Sequence, residues 1–330
     1  MKVLIIGGAG MIGEKLHSAL AKSHSGKNPV TEVILHDRVE PRTAFIEDHG
    51  FQTRVLTGNF ADQAEVRKLA SLRPDVIFHL AAIVSGEAEN DFQKGWDING
   101  HGTWQLLEAL RAEHVESGGT YVPRLVFTSS IAVFGPPYPE QIPDDFLCTP
   151  QTSYGAQKVV GELLVADYSR KGYLDGFSIR LPTICVRPGK PNLAASSFFS
   201  GIIREPLNGM DAVLPVPDTV RHWLASPRAA AGFLVHAMTL DTSLLENRLS
   251  LNLPGVSCTV AEQIEALRKL AGDDIVKHIK PGFDENIMRI VEGWPRDFSA
   301  ERAKRLGFTA EEGFEEIIRT YMEDDLDIRT

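Results

Sequence analysis

Val3-Leu4-Ile5-Ile6-Gly7-Gly8-Ala9-Gly10-Met11-Ile12-Gly13 is an apolar run that breaks into glycines and resumes as a helical pattern. Val3 to Ile6 is short, continuous and rich in β-branched residues, as expected of a strand buried on both faces of a parallel sheet. Lacking Cβ atoms, Gly7 and Gly8 suit a tight turn, Gly10 admits a pyrophosphate close to the backbone, and Gly13 lets the next helix pack on the strand. Free N–H groups at that helix N-terminus then face the anion. A plain strand-to-helix turn would show glycines too, but the strand before and the helix after favour a dinucleotide cradle. Two spacings overlap, Gly8-x-Gly10-x-x-Gly13 and Gly7-x-x-Gly10-x-x-Gly13, and the glycines alone do not choose between them.

The next apolar run, Val33 to His36, ends at Asp37. A carboxylate there accepts a hydrogen bond from a ribose 2′-hydroxyl and repels a 2′-phosphate, which predicts NAD as cofactor. Arg38 beside it would tolerate the phosphate, leaving NADP as a poorer substitute. A third strand, Arg54 to Thr57, runs into Asn59 and Phe60, and a fourth, from Asp75, ends in Leu80-Ala81-Ala82-Ile83. Strands alternating with helices give an α/β fold, a Rossmann-type doubly wound parallel sheet. Ligands in such sheets lie at the carboxyl ends of the strands, so these residues, with Met11 and Ile12, are expected cofactor neighbours. His79 reads as a packed strand residue. The helical pattern from Trp96 to about His114 is interrupted by Asn99-Gly100-His101-Gly102, which predicts close packing or a local distortion at a site.

A fifth strand, Arg124 to Thr128, delivers Ser129 and Ser130, and a Pro-rich loop then leads to a helix opened by Ser153. Tyr154 and Lys158 are four apart and share a face of that helix. A fixed ammonium stabilises a phenolate and turns tyrosine into a usable base for an alcohol. A hydroxyl from Ser129 or Ser130 would hold the same substrate oxygen while the carbinol hydrogen leaves as hydride to the nicotinamide. The pair alone is weak evidence; its place after a serine-ended strand gives it weight.

Taken together, Gly7-x-x-Gly10-x-x-Gly13, Asp37, His79-Leu80-Ala81-Ala82, Asn99-x-x-Gly102-Thr103, the Thr128 to Gly135 segment and Tyr154-x-x-x-Lys158 make the chain resemble the extended short-chain dehydrogenase/reductase family, which includes nucleotide-sugar epimerases and dehydratases. The resemblance runs almost end to end. It implies Tyr154 as catalytic base, Lys158 as its activator and ribose ligand, Ser130 as the catalytic hydroxyl with Ser129 as fallback, Asn99 among the catalytic residues and at the cofactor, and Pro182 at the cofactor. Two departures matter. Ser130 is followed by Ile131-Ala132 instead of the Asp-Glu pair of the dehydratases, which argues against dehydration. The usual Gly-Asp after the third strand is Gly58-Asn59.

Farther on, Arg187, Lys190, Asn192 and Arg221 offer cations and an amide for an anionic substrate. Arg187 to Asn192 resembles a sugar-acid-oxidising branch of the family, which implies oxidation of the C2 hydroxyl of a small sugar acid, D-erythronate foremost, to the 2-oxo acid. A nucleotide-sugar 4-epimerase with tightly bound NAD is the alternative. The expected division is a cofactor domain of residues 1–182 and about 213–256, and a smaller helix-rich substrate lobe of about 183–212 and 257–330. Thr259-x-x-Glu262 reads as a capping box, and Ser299 as the cap of the next helix.

The 330 residues suffice for one large α/β unit and a smaller lobe, and 43% hydrophobic with 24% charged residues is ordinary for a globular protein. A net charge of −10 argues against nucleic acid as main partner. Cys148, Cys185 and Cys258 are far apart, which indicates neither a disulfide framework nor a zinc site, and no metal is expected. No stretch reads as a signal peptide or membrane span, so a cytoplasmic enzyme is expected. By analogy with the family, a homodimer through the helices at 96–114 and 154–171 is expected as well.

Overall fold

The computed structural model describes residues 1–22, 29–42, 50–189 and 195–326. In chain order the strands are β1 (Lys2–Ile6), β2 (Glu32–Asp37), β3 (Gln52–Thr57), β4 (Val76–His79), β5 (Arg124–Ser130), β6 (Asp175–Leu181), β7 (Thr183–Ile184), β8 (Ala212–Leu214), β9 (Arg221–Ala225), β10 (Ser250–Asn252), β11 (Val256–Thr259) and β12 (Ile279–Pro281). The chain divides into two compact units, residues 1–133, 150–180 and 231–251 in the first, and 134–149, 181–230 and 252–330 in the second.

The first unit is built on a seven-stranded sheet of order β10-β6-β5-β4-β1-β2-β3. β1 pairs in parallel with both β2 and β4, β2 with β3, and β4 with β5. The chain runs outward from β1 through β2 to β3, then returns to β4 on the other side of β1. That reversal opens a crevice beyond the ends of β1 and β4, where doubly wound sheets take their ligands. Val3 to Ile6 are fully buried, as their unbroken apolar run requires. Beneath the sheet, Leu4, Ile6, Ile34, Ile77, Leu106 and Phe127 share one apolar core.

The break after Trp96 is a wide, π-helical turn spanning Trp96–Gly102, between the short helix Phe92–Gly95 and the helix Thr103–Glu116. Its glycines are places of contact: a Cβ at Gly100 would fall 2.5 Å from the Trp96 ring, and one at Gly102 2.9 Å from Phe60.

The second unit holds a small sheet of order β11-β9-β7, with β11 antiparallel and β7 parallel to β9, and a β8–β12 pair. Helices Ser197–Leu207, Val260–Ala271 and Phe314–Asp324 bury Phe199, Ile202, Leu267 and Ile317 against them. The capping box forms as expected, with Glu262 N–H donating to Thr259 Oγ1 at 3.1 Å and Thr259 N–H to Glu262 Oε2 at 2.6 Å. Ser299 does not cap the next helix; Ala300, at φ 46°, precedes Glu301–Arg305 with no side-chain cap.

Residues 134–149 and 213–230, expected in the cofactor half, pack within the second unit. Phe134 rests on Phe146 and Phe298, Ile142 bridges to Phe298, and β9 is sheathed between β7 and β11. Among the described residues no helix is long and apolar enough to cross a membrane, and no group of three or more His, Cys, Asp or Glu is arranged to hold a metal ion.

Candidate active site

β1 ends in the glycine turn. Gly7 takes φ 94°, a conformation that L side chains rarely adopt, and its N–H donates to His36 O at 2.8 Å. A Cβ there would lie 2.8 Å from Ala81 N, so the end of β4 closes directly over the turn. Gly13 is tighter still, since a Cβ would fall 2.4 Å from Gly7 O and 2.8 Å from Gly8 Cα. Gly10 is exposed, and the nearest atom to a Cβ on it is Gly7 O at 3.3 Å. The helix Met11–Lys22 thus seats hard against the turn at Gly13 while Gly10 leaves the approach to its N-terminus open. Met11 and Ile12 lie half-buried in its first turn.

Asp37 ties the turn down. Its Oδ2 accepts from Ala9 N–H at 3.1 Å and its Oδ1 from Arg38 N–H at 2.7 Å. A cavity of about 320 Å³ opens beside it, and ten residues expected at the cofactor line it together: Gly7, Gly10, Asp37, Arg38, Asn59, Phe60, Leu80, Ala81, Ala82 and Ile83. His36, Gly58, Glu87, Lys94 and Ile98 line it too and were not foreseen. Lys94 Nζ is paired with Glu87 on that wall. Burial holds His36 below the ordinary histidine range, with Glu65 and Asp37 opposing the shift. Asn59 Oδ1 accepts from Ala61 N–H at 3.2 Å, so its side chain shapes the turn after β3.

Asn99 is 3% exposed and joins this cavity to the helix Ser153–Arg170. Its Nδ2 donates to Ile83 O at 3.1 Å and to Gln157 Oε1 at 2.8 Å, and its Oδ1 accepts from Ile83 N–H at 3.0 Å. The amide is therefore committed to holding two walls in register.

The helix opens at Ser153 as expected, and Thr152 caps it, its Oγ1 accepting from Gly155 N–H at 3.1 Å. Gly155 lets the first turn touch the chain leaving β5, because a Cβ would meet Ala132 O at 2.2 Å. Tyr154 is half-buried beside that contact. Lys158 is 3% exposed, its Nζ donating to Thr128 O at 2.7 Å and lying 5.5 Å from the Tyr154 ring centroid. Burial pushes the Lys158 ammonium down to about 7, and the Glu162 carboxylate opposes that fall.

The two serines differ. Ser129 is 2% exposed and donates to Glu162 Oε1 at 2.5 Å, while Arg180 grips the same carboxylate through Nε at 2.9 Å and Nη2 at 2.7 Å. Ser130 is half-buried and its Oγ accepts from Ala132 N–H at 3.1 Å, which leaves the hydroxyl proton to give. His79 is packed as expected, 1% exposed between Phe60 and Phe127, and burial drives its pKa to about 3. Glu162 and Arg180 were missed, although Glu162 continues the four-residue spacing of Tyr154 and Lys158.

In the second unit Pro182, the single residue joining β6 to β7 along the chain, is buried. Arg187 donates from Nε to Ile184 O at 2.9 Å and from Nη2 to Ser196 Oγ at 3.1 Å. Arg221 donates to Ser257 O at 3.0 Å and pairs with Glu262 at 3.1 Å. Lys190 and Asn192 lie outside the described residues.

The glycine cradle, with an open approach at Gly10 and tight packing at Gly13, fits a dinucleotide. The sequence model of the NAD dependent epimerase/dehydratase family matches residues 3–240. A D-erythronate dehydrogenase of Cupriavidus necator is 46% identical over 329 residues, 98% of each chain. One of Haemophilus influenzae is 41% identical over 326 residues, 99% of this chain and all of its own. A crystal structure described as a nucleoside-diphosphate-sugar epimerase from Agrobacterium tumefaciens is 54% identical and superposes with a TM-score of 0.93 over 98% of this chain and 94% of that one.

Proposed function

The chain belongs to the NAD-dependent epimerase/dehydratase family, and we propose that it is an NAD-dependent dehydrogenase that oxidises the C2 hydroxyl of a small sugar acid, D-erythronate first, to the 2-oxo acid. The observation that carries the reaction type is the buried Lys158, fixed on Thr128 O beside the Tyr154 ring at the end of β5. Tyr154 takes the alcohol proton as phenolate, and Lys158 stabilises that phenolate by its charge. Ser130 holds the substrate oxygen with its available proton; Ser129 is spent on Glu162. NAD, when bound, supplies the acceptor for the hydride that leaves C2. Gly7, Gly10 and Gly13 with the helix N-terminus would hold its pyrophosphate, Asp37 its adenosine ribose, Ala81 to Ile83 and Pro182 its remaining length, and Lys158 its second ribose. With Asp37 at the ribose, NADP is the weaker cofactor.

Arg187, Lys190, Asn192 and Arg221 are proposed to recognise the substrate carboxylate, each arginine adding a partner to those it already has. The two curated relatives support a sugar acid as substrate. Incubation with NAD and a panel of four- to six-carbon aldonates should generate NADH, most rapidly with D-erythronate. No reduction with any aldonate would refute the substrate. The description of the Agrobacterium tumefaciens structure favours a second reading, a nucleotide-sugar 4-epimerase with retained NAD. NAD or UDP-sugar released on denaturation, with no net NADH during turnover, would select it.

A further inference from the structure

Behind the Tyr154–Lys158 face lies a buried ion pair that the proposed reaction does not use. Tyr154, Lys158 and Glu162 stand at successive turns of one helix and form a single stripe. Glu162 is 5% exposed and both its oxygens are engaged, Oε1 by Ser129 Oγ and Arg180 Nε, Oε2 by Arg180 Nη2. One residue back along β5, Thr128 O accepts from Lys158 Nζ. Consecutive residues of β5 therefore hold consecutive turns of the helix. Apolar side chains would join helix to sheet at least as well as a buried ion pair. What they would not supply is a fixed negative charge one turn from Lys158.

The charged and titratable groups around Lys158, among the described residues, come from four elements. Its own helix gives Tyr154 and Glu162. β4 gives His79, kept neutral by burial, and β6 gives Arg180, tied to Glu162. β5 contributes Thr128 O, the Ser129 hydroxyl and the Phe127 ring, 4.8 Å from Nζ. Glu162 is the one carboxylate among them, and its charge opposes the desolvation of the ammonium.

We propose that Glu162 is a positioning residue for the reaction, its carboxylate locked by Ser129 and Arg180 so that it keeps Lys158 charged and Tyr154 supplied with an electrostatic partner. The inference rests on the roles given above to Tyr154 and Lys158. When the two share one proton, it is carried either by the ammonium beside a phenolate or by the phenol beside a neutral amine. Only the first arrangement accepts a proton from the alcohol. The charge of Glu162 favours it, and removing that charge moves the proton to the phenol without changing the total count. The plateau of the pH–rate profile then falls.

Two variants with opposite effects test this. Glu162→Gln keeps the shape and an acceptor for Ser129 but removes the charge; Arg180→Gln removes the competing cation. In cofactor-free protein, NMR titration of isotope-labelled lysine, with the Lys158 signal assigned by its loss in Lys158→Arg, reads the ammonium directly. The Lys158 midpoint should fall by about one pH unit in Glu162→Gln and rise in Arg180→Gln. With NAD and the alcohol, Glu162→Gln should lose about tenfold or more in kcat, with KM for the alcohol within about threefold. Midpoints that stay put, or move in the same direction in both variants, overturn the proposal, as does a shifted midpoint with unchanged kcat. If Glu162→Gln fails to fold, the sign of the Arg180→Gln shift decides. The NMR arm needs no substrate, so opposite shifts in a protein inactive on every aldonate would count against the sugar-acid reading and leave the role of Glu162 standing.

Discussion

Substituting alanine at Gly13 and at Gly10 should separate folding from cofactor binding. At Gly13 the added Cβ lies 2.4 Å from Gly7 O and 2.8 Å from Gly8 Cα, both backbone atoms that have no rotamer to escape into. Restoring an ordinary contact of 3.4 Å requires the helix Met11–Lys22 to recede by about 1 Å. Overpacking of this kind costs about 1–3 kcal/mol, and alanine returns about 1 kcal/mol of helix propensity. The net loss is about 1 kcal/mol, a fall in Tm of roughly 2–4 °C. A displacement of about 1 Å at a binding element costs on the order of a hundredfold, and NAD affinity should fall by about that factor. At Gly10 a Cβ meets only Gly7 O at 3.3 Å, so stability should stay within about 0.5 kcal/mol while NAD affinity drops at least about tenfold. Calorimetric titration with NAD and thermal unfolding read the two effects. Wild-type NAD affinity in Gly10→Ala would refute the cradle, and wild-type Tm with wild-type affinity in Gly13→Ala would refute the packing argument.

Tyr154→Phe should lower kcat by about 10²–10⁴ while NAD binds as before, measured by steady-state kinetics and direct titration. The serines should part ways: Ser130→Ala should lose about a hundredfold in kcat at unchanged stability, whereas Ser129→Ala, which strips a buried carboxylate of a donor, should lose about 1–3 kcal/mol of stability with less than a tenfold change in kcat. Equal kinetic effects of the two would contradict the assignment. Burial pushes the pKa values of His79 and His222 down to about 3 and about 4, below the ordinary histidine value of about 6.5. Their unfolded forms bind protons that the folded forms refuse, so stability is intact above about pH 6.5 and is lost as pH falls below it, by about 1.4 kcal/mol per pH unit for each group down to its folded value. Urea unfolding between about pH 7 and pH 5 should show this slope, and an imidazole of either residue titrating near pH 6.5 by NMR would refute it.

What was legible in the chain was what is written locally. The β1 run, the glycine spacing, Asp37 and the Tyr154–Lys158 pair each need only neighbouring residues to be recognised. The interruption at Asn99 to Gly102 announced a distortion, but its form depends on Trp96 and Phe60, and Phe60 is distant in sequence. Glu162 looks like any solvated helix glutamate until Ser129 and Arg180 arrive from two other strands. Arg187 and Arg221 read as loose cations, yet each has partners in its own unit. Residues 134–149 look like a connector, and what recruits them to the second unit is Phe298, far along the chain.

The wide turn at Trp96–Gly102 has a consequence for how this chain tolerates changes of length. A turn of this kind carries one residue more than a regular helical turn. Ordinary winding covers nearly the same rotation with one residue fewer, so deleting one residue there keeps the flanks near their present phase, whereas adding one swings one flank about 100° around the axis relative to the other. Either Asn99 would leave Ile83 and Gln157, or Leu106 and Leu107 would leave the core. The segment is a phase splice between a stretch of helix that faces the cofactor wall and one that faces the sheet. It should accept the loss of an exposed residue such as His101 more readily than the gain of one.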